Sequence, residues 1–218
     1  MKLSDLSAVS PIDGRYSKLV TELQEIFSEY GLIRYRIFIE IEWFIHLSNQ
    51  SNIKELPKLT KTTTKSLRLL YKKFNLSEAK KVKNIEQKTN HDVKAIEYYL
   101  KNKFSESKKL KNLSEFIHFC CTSEDINNIA YALMVRDASK LIISSHTRKL
   151  NALLKSKAHL YASISMLSRT HGQAATPTTL GKELANFSYR IDLISKKIVS
   201  IKLRGKMNGA VGNYNAHL

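Results

Sequence analysis

The sequence predicts an all-α chain, and three observations carry that reading. Glycine and proline are scarce, 7 and 3 in 218 residues, so long stretches contain nothing that breaks a helix. Apolar residues recur at spacings of three and four along most of the chain. The one Gly/Asn-rich run, Gly205 to Asn213, falls near the end.

The elements follow in order. Residues 1–15 read as irregular, with a turn at Ser10-Pro11-Ile12-Asp13-Gly14. Leu19, Leu23, Ile26, Phe27 and Tyr30 form one helical face, and Ile33, Ile37, Phe38, Ile41, Ile45 and Leu47 continue it, with Gly31 marking a break between two helices. Trp43 reads as core or interface packing. A connector over 49–60 leads to a short helix carrying Leu67, Leu70, Tyr71 and Phe74, and Ser77 opens another. Val93, Ile96, Leu100 and Phe104 are helical, with Asn90 or Asp92 as the cap. The lysine-rich stretch 105–113 reads as a solvated linker, and a domain boundary is placed there, dividing the chain into 1–111 and 112–218. Phe116, Ile117, Cys120 and Cys121 suggest a short apolar helix.

Thr122 and Asp125 stand at capping-box spacing, and a stripe from Ile126 through Leu141 runs on towards Leu160, long enough for a bundle. Thr176 as N-cap and Pro177 as first helical residue predict the start of a last helix. Its Leu180, Leu184, Phe187, Ile191, Ile194, Ile198 and Ile201 form a coiled-coil-like seam. The break-off soon after a site-like loop and a helix with a buried-looking face reads as an incomplete chain.

Charge narrows the function classes. Lys and Arg number 36 against 19 acidic residues, a net +17, which admits a polyanionic partner. The lysines are scattered, and with abundant Asn and Ile they match AT-rich coding better than a nucleic-acid face. Cys120 and Cys121 are adjacent, so neither a disulfide framework nor a zinc site is implied, and a reducing, cytoplasmic setting fits. No signal-peptide core and no apolar run of ~20 residues is present, so no membrane span is expected.

Four polar clusters carry chemistry. In Ser168-Arg169-Thr170-His171-Gly172-Gln173, His171 can give or take a proton near neutrality and Arg169 can grip an anion. Arg15 and Tyr16, just after the Gly14 turn, suit a phosphate or carboxylate. Asn90-His91-Asp92 and Thr122-Ser123 stand at helix starts, where backbone N–H groups favour anions. For both of these, helix capping alone is a sufficient reason for the residue types.

Taken together, and with Gly205-Lys206-Met207-Asn208-Gly209-Ala210-Val211-Gly212-Asn213-Tyr214-Asn215-Ala216-His217, these motifs resemble, in order and along the whole chain, the bacterial adenylosuccinate lyases of the fumarase/aspartase superfamily. Ala175 departs from a loop where related proteins often carry proline nearby. The resemblance implies a small helical N-terminal domain before long bundle helices, a cytoplasmic homotetramer, a purine nucleotide substrate, and no metal or organic cofactor. It implies β-elimination of fumarate from adenylosuccinate, giving AMP, and from the succinyl-carboxamide ribotide of purine biosynthesis. His171 would be the acid; Arg15 and Tyr16 would hold the phosphate; Asn90, His91, Asp92, Thr122 and Ser123 would line the nucleotide and succinyl sites. The superfamily's Gly-Ser-Ser-x-Met-Pro-x-Lys-x-Asn-Pro loop, with the implied basic serine, is not in this sequence. The chain as given is therefore expected not to complete the reaction alone, and its seam is expected to lie exposed. The alternatives are an inactive remnant, a sister enzyme such as argininosuccinate lyase, and, least supported, a basic nucleic-acid-binding module.

Overall fold

The computed structural model describes Ser4 and residues 6–218; of the irregular N-terminal stretch, residues 1–3 and 5 lie outside the described residues. The structure is 63% helical, with one two-stranded sheet among the described residues. The helices are α1 (Thr21–Phe27), α2 (Glu29–Leu47), α3 (Lys61–Lys72), α4 (Leu76–Thr89), α5 (Asp92–Ser105), α6 (Lys108–Lys111), α7 (Ser123–Asp137), α8 (Ser144–Leu160) and α9 (Leu180–Ser200). A π-helical segment, Ala138–Ile143, occupies the chain between α7 and α8. The strands β1 (Ser165–Thr170) and β2 (Gln173–Thr179) form an antiparallel hairpin before α9. The chain packs as two compact units: residues up to Val135 together with Arg204–Leu218, and Arg136–Leu203.

The first unit is organised around α2, which is buried on more than one side. Ile33, Ile37, Ile41 and Phe44 join Leu67 of α3, Val82 of α4 and Ile96, Leu100 and Phe104 of α5 in the main core. Phe44 and Phe104 meet edge to face at 5.0 Å, a favourable aromatic geometry. On another side Ile39 packs with Val93, Ile126 and Ala130, which seats α7 against α2 and α5. The helix break falls at Ser28, not at Gly31. The Ser28 hydroxyl accepts from the Gly31 N–H at 3.2 Å and caps α2. Gly31 lies inside α2, at a position that needs glycine because a Cβ there would fall on the Ile26 carbonyl. Residues 114–121 form a 3-10 turn and a loop in place of the expected apolar helix.

In the second unit, α8 and α9 pack together through a buried Ser188 hydroxyl that donates to Asn151 Oδ1. The start of α9 corrects the sequence reading. Thr176 and Pro177 lie in β2, where Pro177 is in register with Leu167. The N-cap is Thr179, whose hydroxyl accepts from Lys182 N at 3.1 Å. Each strand of a two-stranded sheet keeps an open edge, so a proline's missing donor is tolerated, and the β-branched threonines favour strand.

Gly181, in the first turn of α9, donates to the Tyr161 carbonyl at 3.0 Å. A Cβ on it would lie 2.6 Å from Ala162 Cα and against the Ala158 carbonyl, all backbone. Gly181→Ala is therefore expected to push α9 off the end of α8 and to destabilise this unit by about 1–3 kcal/mol, as overpacking does. A thermal melt with an unchanged midpoint would count against that close approach. The seam is exposed in part: Phe187 at 56%, Ile194 at 57% and Ile201 at 64% lie open with Ile198, while Leu180, Leu184 and Ile191 are half-buried.

Candidate active site

The sequence-predicted residues fall in both units. In the first, a cleft of about 790 Å³ is lined by Asn90, His91 and Asp92 together with Arg36, Lys83 and Tyr131. Asn90 ends α4 in the left-handed conformation, φ 51°, a backbone position that Asn tolerates well. The cap of α5 is neither Asn90 nor Asp92 but His91, whose Nδ1 accepts the Lys94 N–H at 3.1 Å. A nitrogen that accepts from an N–H is unprotonated, so the imidazole proton resides on Nε2. His91 lines the cleft with Nδ1 taken up by the cap and Nε2 as its remaining ring nitrogen.

Asp92 accepts from Arg36 Nη2 at 2.6 Å and from its own helix's Val93 N at 2.9 Å. Partial burial opposes its charge, but the guanidinium and the helix N–H outweigh it and hold the carboxyl below its usual range. Lys83 bridges Glu29 at 3.1 Å and Glu86 at 2.7 Å on the same wall.

Thr122 and Ser123 open α7, and Asp125 organises them. Its fully buried carboxylate accepts from Thr122 N at 2.9 Å, Asn208 N at 3.1 Å and Gly209 N at 3.2 Å, and pairs with Lys206 Nζ at 3.0 Å. Burial alone would raise this acid; the Thr122 N–H, Lys206 and Asn208 together keep it ionised. Asn128 adds a reciprocal pair, accepting from Lys206 N at 2.7 Å and donating to Lys206 O at 3.0 Å. The Gly205–Gly209 motif is thus bound to the first turns of α7, and Gly209 adopts φ 81° in it. Arg15 and Tyr16 do not line the cleft. They stand exposed on the Gly14 turn, the guanidinium 5.3 Å from the Tyr16 ring centroid.

His171 lies in the second unit, at the tip of the β1–β2 hairpin. Thr170 pairs with Gln173, so His171 and Gly172 are the two-residue turn, with φ 52° and 77° as a type I′ turn requires. The imidazole is exposed, and Arg169 Nη1 closes the turn onto the Gly172 carbonyl at 3.4 Å.

Sequence reasoning passed over Arg36, and it saw Asp125 only as the capping-box partner of Thr122, a bond the structure contains, and not as the anchor of the Gly205 motif. Arg36 carried a signal: it is a charged residue in the middle of an apolar helical stretch. No cluster of three or more His, Cys, Asp or Glu able to hold a metal occurs among the described residues.

Residues 14–218 match the family described as Lyase. The chain belongs to this lyase family. The resemblance read from the motifs therefore holds over nearly the whole sequence. Among curated lyases, adenylosuccinate lyase of Buchnera aphidicola subsp. Schizaphis graminum (strain Sg) is 51% identical over all 218 residues, and that of Escherichia coli (strain K12) is 48% identical. The chain spans about half the length of the curated relatives it matches, 48% of each of these two. Among solved structures, a fumarate lyase from Mesorhizobium sp. BNC1 superposes with a TM-score of 0.71 over 90% of this chain and 44% of its own, at 19% identity. A β-carboxy-cis,cis-muconate cycloisomerase from Acinetobacter calcoaceticus sp. ADP1 gives 0.68 at 22% identity, again over 90% of this chain and 44% of its own. These two likenesses establish the lyase fold. No helix among the described residues is long and apolar enough to cross a membrane.

Proposed function

We propose that this chain carries the nucleotide-binding and proton-donating part of an adenylosuccinate lyase. The observation that carries the reading is identity of about half, across every residue, with curated adenylosuccinate lyases. In the reaction a base takes a proton from the succinyl carbon beside a carboxylate. The C–N bond breaks, fumarate leaves, and an acid protonates the departing nitrogen. His171 is assigned as that acid. Arg15 and Tyr16 hold the phosphate, and Asn90, His91, Asp92, Thr122 and Ser123 receive the nucleotide and succinyl groups. Support comes from Asn90, His91 and Asp92 together on the cleft wall and from two α-helix starts, at His91 and Thr122, suited to a polyanionic substrate. The implied base belongs to the serine loop that this sequence does not contain.

The same reading includes a cytoplasmic homotetramer, with a domain division near 111/112. The exposed seam of α9 is the surface such an assembly would bury. The test is a fumarate-release assay on adenylosuccinate and, in parallel, argininosuccinate. Chain alone is expected to be silent, and chain mixed with the C-terminal half of a relative is expected to turn over adenylosuccinate only. Robust release by the chain alone would overturn the expectation that it lacks its base. Turnover of argininosuccinate would move the assignment to the sister enzyme.

A further inference from the structure

We propose that Arg36 is a positioning residue that locks the Asn90–His91–Asp92 turn to α7 and thereby sets the hydrogen-bonding face that His91 shows to the cleft. The proposal rests on the nucleotide reading of that cleft. Arg36 is 3% exposed, in the middle of α2. Its two donor edges go to groups distant in sequence: Nη2 donates to Asp92 Oδ2 at 2.6 Å, and Nε donates to Asn127 Oδ1 at 2.9 Å. One buried side chain thus ties the start of α5 to the second turn of α7, the helix that Thr122 and Ser123 open.

The consequence for Asp92 is specific. Both of its oxygens are engaged by protein donors, Arg36 and Val93 N. Its carboxylate is thereby held in a fixed place in the turn, on the cleft wall beside Asn90 and His91. The consequence for His91 follows from the cap. The Lys94 N–H reaches Nδ1 only while the first turn of α5 keeps its place, and that turn is held by Asp92 on Arg36. Arg36 therefore acts through Asp92 to keep His91 in the Nε2–H tautomer.

A lysine could reach Asp92 but could not at the same time offer the Asn127 amide a second donor at a fixed angle, because only guanidinium presents two edges. The neighbouring wall cannot substitute, since Lys83 is already shared between Glu29 and Glu86.

The test has a structural arm and a binding arm on the 218-residue chain. In ¹⁵N-histidine NMR the wild type should show His91 as the Nε2–H tautomer, with a slowly exchanging Lys94 amide. Arg36→Gln and Asp92→Asn should each give mixed tautomers and faster Lys94 exchange. By calorimetry with adenylosuccinate, each should weaken binding roughly tenfold, the scale of one charge-assisted hydrogen bond. The double variant should be no weaker than either single one, and Arg36→Lys should fall between. A merely structural role would lower stability without moving the tautomer. Folded variants that keep the wild-type tautomer, or losses that add in the double variant, would overturn the proposal. If the wild type itself binds no adenylosuccinate, the nucleotide reading fails, and the tautomer arm still decides on Arg36. Should Arg36→Gln not fold, Asp92→Asn tests the same link from a half-exposed side chain.

Discussion

Glu40→Ala is expected to lower the stability of the chain by about 3 kcal/mol and to abolish a pH dependence that the wild type shows above neutrality. Glu40 lies on α2, 1% exposed, with Oε1 2.6 Å from His118 Nδ1. Its other oxygen is buried without a hydrogen-bond partner. His118 sits in the loop before Thr122 at φ 61°, and Cys120 shares that φ, so two non-glycine residues are held left-handed. Such residues cost roughly 1–2 kcal/mol each and persist only where the surroundings enforce them. The Glu40 pair and the Trp43 indole, which donates to the Phe119 carbonyl at 2.8 Å, are what enforce them here.

Burial opposes charge on His118, but the Glu40 hydrogen bond and charge, helped by Glu97 and opposed by Lys94, outweigh it and raise its pKa above the ordinary value of 6.5. A group raised on folding contributes stability that is fully present below its unfolded pKa and is lost as pH rises through the folded one. The wild type should therefore lose stability from about pH 6.5 upward relative to Glu40→Ala, which has no such pair. Denaturant titrations of both chains from pH 5 to 9 give the difference directly. At pH 6 a loss of ~3 kcal/mol corresponds to a fall of roughly 6–12 °C in Tm for a domain of this size. A difference curve that is flat with pH would mean that folding does not raise the His118 pKa.

The two pairs built on α2 show where the sequence was legible and where it was not. Ile33, Ile37 and Ile41 announce a buried helix by spacing alone, and α2 buries them. Arg36 and Glu40 interrupt the same stretch, but their partners lie 56 to 91 residues away, and no local pattern names Asp92, Asn127 or His118. The hairpin was missed for a related reason. Thr176-Pro177 is a good local helix start, and only pairing with residues 165–170 turns it into strand. His91 as a cap was missed because Asn90 and Asp92 beside it are better cap formers on propensity. The polar clusters themselves were visible as clusters. The structure then sorted them: Asn90, His91 and Asp92 share one cleft, Thr122 and Ser123 are bound into the Asp125 network through Thr122 N–H, and Arg15 and Tyr16 stay on an exposed turn.

His171→Asn should abolish turnover while leaving the fold intact, and the hairpin makes it the cleaner substitution. An alanine at φ 52° would strain the turn, whereas Asn-Gly is the preferred pair for a type I′ turn. The variant thus removes the imidazole and keeps the backbone that presents it. In the mixture with a relative's C-terminal half, fumarate release should fall by about a hundredfold to ten-thousandfold, the range general acid catalysis contributes. The alkaline limb of the pH–rate profile should vanish as well, because a general acid must be protonated to act and an amide does not titrate. Adenylosuccinate affinity should change little, since proton donation belongs to the transition state rather than to the bound substrate. Strong loss of affinity with turnover per bound substrate preserved would recast His171 as a binding residue and leave the acid to be found elsewhere, with His91 on the cleft wall as the next donor to test.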